Sequence, residues 1–173
     1  MTLKKALCVV MVITMLFALT ACKSGGGEVK ELTVTLNGVT VSAPLTVEKL
    51  GSDYSVKFDP DIKIGEIFYK DQNLALLVTF DENTTENDYR KKNIKTLNRR
   101  KNVSVNGITR GSSKSDVKNA IGSPTETEKI KGGLWTESWL YFKGGKAKGE
   151  RYLLIMFDKN DKVSNLEVDL ELL

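Results

Sequence analysis

Beyond residue 30 the apolar and polar positions alternate mostly with the period of strands, broken by two short stretches of helical spacing. In the C-terminal half the alternation predicts strands over residues 125–130, 134–142, 150–158 and 163–170. Their connections, Gly132-Gly133, "KGGKAKG" and "KNDK", carry turn chemistry and are short enough for antiparallel neighbours. A short helix precedes them. Ser113 with Asp116 three residues on forms a capping box, Val117, Ala120 and Ile121 make one apolar face, and Gly122 then Pro124 stop it. The N-terminal half has the same layout, with a helix over residues 44–50 ended by Gly51 and strands near 54–58, 62–70, 74–80 and 92–98. Between the last two, "DENTTENDYRKKN" reads as a long polar loop or a helical turn.

The two halves are degenerate copies. "VTLNGVTVSAPLTVEKLGS" aligns with "VSVNGITRGSSKSDVKNAIGS", each holding a strand, an Asn-Gly, a helical segment and a Gly-Ser; "LALLVTFDEN" aligns with "YLLIMFDKN". The order is kept while the loops differ in length. The expected fold class is therefore α+β: two tandem modules over residues 28–100 and 101–173, each a short helix packed on an antiparallel four-stranded meander.

The N-terminus has another character. Lys4 and Lys5 precede the uncharged apolar run "ALCVVMVITMLFAL", and small residues follow, the arrangement of a cleavable export signal over residues 1–21. The run is shorter than the ~20 residues a spanning helix needs. "LTAC" resembles the lipobox of bacterial lipoproteins, and that resemblance implies a diacylglycerol thioether on Cys22 after cleavage, with residues 22–27, "CKSGGG", as lipidated cysteine and flexible tether. Each buried methylene of such chains contributes about 0.8 kcal/mol. The implied location is exported, held by lipid on the outer face of the cell membrane, or on the outer membrane where the envelope has one. Cys8 leaves with the signal, so stability outside the cell would come from the core and not from a disulfide.

A second resemblance covers the C-terminal half. Gly111, Ser113, Asp116, Val117, Gly122, Pro124, Tyr141, Phe157, Asp158 and Val163 stand where small lipoproteins of the SmpA/OmlA type carry their glycine, capped helix, Gly-x-Pro stop, aromatic strand and Phe-Asp turn. The tandem layout is similar to that of the β-lactamase inhibitory protein family, which implies a β-lactamase inhibitory protein-like arrangement. These motifs are structural, and no partner transfers through them.

Charge and residue types narrow the chemistry. The net charge of +4 falls further when Lys4 and Lys5 leave, too little to point to nucleic acid. Histidine is absent, which removes the usual neutral-pH base, Ser-His-Asp triads and most first-row metal sites; no cofactor and no catalytic or metal residue is expected beyond the Cys22 lipid. Carboxylates at Glu126 and Glu128, or at Glu167, Asp169 and Glu171, lie about 7 Å apart along strands and share a face, unlike the opposed pair of a glycosidase. "FDENTTEND" and "FDKND" place oxygen ligands in turns without EF-hand spacing. The basic run Arg90, Lys91, Lys92, Lys95, Arg99, Arg100 and Lys101 fits an anionic membrane or wall surface, at about 1 kcal/mol per charge, or equally an edge strand guarded by lysines.

Period-two bookkeeping of the second sheet sets Leu134, Leu140 and Phe142 with Leu153, Ile155 and Phe157 beneath the helix. Trp135, Glu137, Trp139, Tyr141, Tyr152 and Met156 then share the opposite face, beside Glu167 and Asp169. Tryptophan, tyrosine and methionine beside a few acids is the composition of a protein interface. The face either recognises a protein or packs on the first module. The expectation is a membrane-anchored extracytoplasmic lipoprotein acting as a non-catalytic protein-binding module. The alternatives are a structural lipoprotein of envelope assembly and a carboxylate-based enzyme on a wall polymer.

Overall fold

A computed structural model describes residues 31–99, 103–146 and 149–172. The expected export signal and tether, Cys22, and Arg100 and Lys101 with the boundary between the expected modules all lie outside the described residues.

Two Asn-Gly pairs organise the start of each half. Asn37-Gly38 (φ 51° and 82°) closes a two-residue hairpin between β1 (Val34–Leu36) and β2 (Val39–Val41), with Leu36 opposite Val39. Asn106-Gly107 (φ 50° and 78°) makes the same left-handed turn after β7 (Val103–Val105), closed by a bridge from Val105 to Ile108. β1 also pairs antiparallel with β7, Val34 opposite Val105, so the two copies of the motif meet in one three-stranded sheet of order β2-β1-β7.

Helix α1 (Val47–Leu50) starts at Thr46, whose hydroxyl accepts from the Lys49 amide, and ends at Gly51. Helix α2 (Lys114–Ala120) starts in the reciprocal capping box of Ser113 and Asp116. After α1 come β3 (Tyr54–Asp59), β4 (Ile64–Tyr69), β5 (Gln72–Thr79) and β6 (Thr96–Arg99). After α2 come β8 (Glu126–Lys129), β9 (Glu137–Phe142), β10 (Arg151–Phe157) and β11 (Val163–Asp169).

These eight strands form one antiparallel sheet of order β3-β4-β5-β6-β11-β10-β9-β8. Its centre is the β6–β11 pairing, with Leu97 opposite Val168 and Asn98 opposite Glu167. The expected fold class, two α+β modules each with its own helix and four-stranded meander, is thereby corrected: the protein is mostly β, with a continuous eight-stranded sheet, a separate three-stranded sheet, and two helices of four and seven residues among the described residues. The physical reason is edge satisfaction. Two separate sheets would leave β6 and β11 as open edges, and pairing them satisfies both rows of backbone donors and acceptors.

One large core joins the two sheets and both helices. Ile67, Leu76, Leu97, Leu153, Ile155, Phe157 and Val168 of the large sheet pack against Leu36, Val47, Val105, Val117 and Ile121 of the small sheet and helices. Gly65 on β4 is buried where a Cβ would collide with Val56 and crowd Val78 and Phe80, so glycine lets these neighbours close. The 81–93 segment is a chain of turns whose Tyr89 stacks on Phe58 at 5.1 Å between ring centres.

Candidate functional site

The six residues expected on one aromatic face divide between two. Tyr141 lies opposite Leu153 and Trp139 opposite Ile155, so both point to the helix-covered core, while Met156 opposes Ser138 on the other face. Trp139 is buried, its ring 4.9 Å from that of Phe157. Tyr141 is fully buried and its hydroxyl donates to the Gly122 carbonyl at 3.2 Å. Tyr152 is buried beside it, 6.5 Å between rings, with no partner for its hydroxyl. Burial pushes the Tyr152 phenol up to about 12; burial, with Tyr152 adding to it, pushes Tyr141 higher still. Trp135 is half-buried at the entry to β9. The correction has two local causes: Trp139, Leu140, Tyr141 and Phe142 are all buried, so apolar alternation does not fix the phase of β9, and a register shift between Arg151 and Leu153 turns Tyr152 into the core. A one-residue change of phase exchanges faces.

Glu137 and Trp139 belong instead to the docking of α2. The Lys114 ammonium donates to Glu137 Oε2 at 2.8 Å and to Asp161 Oδ1 at 2.7 Å, 5.4 Å above the Phe157 ring, and the Trp139 indole N–H donates to the other Glu137 oxygen. Partial burial works against both charges. The hydrogen bonds outweigh it, holding the Glu137 carboxyl below its ordinary value and the Lys114 ammonium above its own.

The basic run also divides. Lys92 pairs with Asp88 at 3.4 Å, and Lys95 pairs with Asp81 and more distantly with Glu171 at 3.9 Å. Arg90 and Lys91 are exposed in the same turns, whereas Arg99 lies at the far end of β6 and Arg100 and Lys101 are outside the described residues. β6 is a central strand between β5 and β11, so the edge-strand reading of these lysines is corrected. The Asp158 carboxylate accepts the amides of Asn160 and Lys162, which gives "FDKND" a turn role. Among the described residues no three acidic, Cys or His side chains converge as a metal site, and no helix is long and apolar enough to cross a membrane.

The face turned away from the helices draws residues from every strand. At its centre Glu167 accepts from Asn98 Nδ2 at 2.9 Å with one oxygen and from Arg151 at 2.7 Å with the other, and Asn165 donates to Asn98 at 3.3 Å. This polar strip joins three strands, β6, β11 and β10. On one side stand the exposed Leu77, with Glu66 and Lys57 in register, and half-buried Phe68. On the other, Leu140, Phe142 and Leu154 with Met156 form a second apolar cluster built from β9 and β10 alone, bordered by Glu126 and Glu128 of β8.

No protein-family model, curated protein or solved structure matches this chain. The site must therefore be read from its own chemistry. It offers the exposed Leu77, the half-buried Phe68 and Met156, and fixed hydrogen-bonding groups, whereas Leu140, Phe142 and Leu154 are themselves buried. Asp88 and Asp116 are held below the ordinary carboxylate range, by the Thr85 amide and the Ser113 hydroxyl respectively, so they serve turns and a helix cap. Sequence reasoning set Met156 and Glu167 on this face and missed Asn98 and Arg151, which acquire meaning only through the β6–β11–β10 pairing.

Proposed function

We propose that the protein is a membrane-anchored extracytoplasmic lipoprotein that recognises a protein partner, without catalysis, through the helix-free face of its large sheet. The observation that carries this reading is the Asn98–Glu167–Arg151 strip set beside the exposed Leu77. Apolar contacts together with fixed hydrogen-bonding groups are the components of a recognition surface. Its Glu167 and Arg151 are already fixed by each other, so little side-chain entropy is lost on binding. The lipobox resemblance at Cys22 supports placement at the membrane.

The experiment is site-specific photocrosslinking in intact envelopes. A crosslinking residue at Leu77, on the face, is expected to trap a discrete protein that the same probe at Lys118, exposed on α2, does not. Protein adducts from position 118 alone, or identical adducts from both, would refute the reading.

A further inference from the structure

Among the described residues four large apolar side chains are exposed: Val39, Ile62, Leu77 and Leu134. Leu134 is the most exposed of them at 74%. Leu77 belongs to the sheet face, and Ile62 follows Asp59 and Asp61, which would repel an anionic surface. Leu134 stands beside half-buried Trp135 at the tip of the β8–β9 hairpin, with exposed Lys129 and Lys131 on the approach. The tip is rigidly based. Ile130 N–H donates to the Thr136 carbonyl at 2.9 Å, Thr136 N–H to the Phe157 carbonyl at 2.9 Å, and the Thr136 hydroxyl to the Asp158 carbonyl at 3.0 Å. Gly132 and Gly133, at φ 82° and 99°, let the chain turn back within the remaining residues.

The last two bonds bring the neighbouring β10–β11 turn alongside, and it adds exposed Lys159 and Lys162. The acids of that turn are engaged, Asp158 with backbone amides and Asp161 with Lys114. One end of the sheet thus presents a leucine and a tryptophan, with four exposed lysines in the two adjoining hairpins. Tryptophan and leucine flanked by basic residues is the chemistry of contact with the headgroup level of an anionic bilayer.

We propose that this hairpin tip is a second membrane contact, seating Leu134 and Trp135 among anionic headgroups while the lysines lie against the phosphates. It rests on the anchored reading above only for what brings the chain to the bilayer. Reach permits it: the nine residue steps from Cys22 to Glu31 extend to roughly 30 Å, and the seven residues of β10 span only about 23 Å.

The test uses the full chain carrying Trp139→Phe, which leaves Trp135 as its single tryptophan. The chain is reconstituted with vesicles of phosphatidylcholine, alone or mixed with phosphatidylglycerol, whose acyl chains are brominated. On anionic vesicles Trp135 emission is expected to shift to shorter wavelength and be quenched by the bromines, and less so on phosphatidylcholine alone. Lys129→Gln/Lys131→Gln is expected to lower the contact equilibrium by roughly 30-fold, at about 1 kcal/mol per charge, and Leu134→Ser to weaken it further. A chain that floats with the vesicles but keeps Trp135 open to aqueous acrylamide overturns the tip contact and leaves the anchor standing. Quenching indifferent to lipid charge and to both lysines overturns it too. So does a photocrosslinker at position 134 that captures protein and no lipid in envelopes. A chain that fails to float on anionic vesicles overturns tip and anchor together.

Discussion

Replacing Lys114 by Met removes the ammonium that joins α2 to the sheet and keeps most of the stem that covers Phe157. The two side chains of the Lys114–Glu137 pair are 26% and 21% exposed, between the surface and buried limits. Exposed pairs contribute about 0–1 kcal/mol. Removing one partner of a buried pair costs about 3–5 kcal/mol, because the other charge is stranded. Discounted for the remaining solvent, Lys114→Met is expected to cost about 2 kcal/mol, or roughly 4–8 °C in melting temperature for a domain of this size. Adding Glu137→Gln should recover part of the loss, since the stranded carboxylate is gone while an acceptor for the Trp139 indole remains. The pH dependence follows from the two shifts. Glu137 has a depressed folded value, so its contribution is present above the unfolded value near ~4.3 and is lost as pH falls through the folded one. Lys114 has a raised value, so its contribution is present below ~10.4 and is lost only as pH rises through the folded value. The stability gap between wild type and Lys114→Met should then be flat between about pH 5 and 10 and narrow below about pH 4. Urea unfolding followed by tryptophan fluorescence across this range reads it directly. A gap that is absent at pH 7, or one that persists undiminished at pH 3, would refute the reasoning.

Three further outcomes are expected. Gly65→Ala should lose about 1–3 kcal/mol in urea unfolding, because the new methyl meets the stiff, β-branched Val56 and the packed Val78 and Phe80; a neutral result would mean that β3 and β4 yield freely. Tyr141→Phe should cost about 1 kcal/mol for its bond to Gly122, whereas Tyr152→Phe should be neutral or stabilising because its buried hydroxyl has no partner; equal losses would contradict that asymmetry. In single-tryptophan chains free of lipid, acrylamide should quench Trp135 more readily than Trp139, and full exposure of Trp139 would overturn the register of β9.

What was legible in the sequence was local. The Asn-Gly turns and the Ser113–Asp116 box act within a few residues, and both stand in the structure where their chemistry requires. The joining of β6 to β11 brings residues 69 apart into hydrogen bonding at Asn98 and Glu167, and no local pattern marks it. The orientation of β9 was hidden for another reason. Leu140 and Phe142 on one side and Trp139 and Tyr141 on the other are all buried, so apolar alternation carries no phase there. The shifts in β10 then displace the register that a strict period of two would assign. Tyr89 shows the same limit in a loop: its neighbours are charged in sequence, yet its ring stacks on Phe58 and meets the edge of Phe80.

The proposed membrane tip and the proposed recognition face constrain each other through strand direction. The β8–β9 and β10–β11 turns lie at one end of the sheet, since Phe157 pairs with Glu137 where β9 begins. Leu77, Asn98, Glu167 and Leu154 form a row across the strands, in register from β5 to β10. If that end rests on the bilayer, the strands stand away from it and the row runs parallel to the surface. The face then looks sideways along the membrane, where another envelope protein is met. The two proposals therefore predict a shared geometry: crosslinks from Leu77 should reach partners held at the same membrane. Lengthening the "SGGG" tether should leave those crosslinks unchanged while the Leu134 tip is intact, and weaken them once Leu134→Ser and Lys131→Gln release it. A tether-length dependence that is the same with and without the tip would show that the leash alone sets the domain's distance from the membrane.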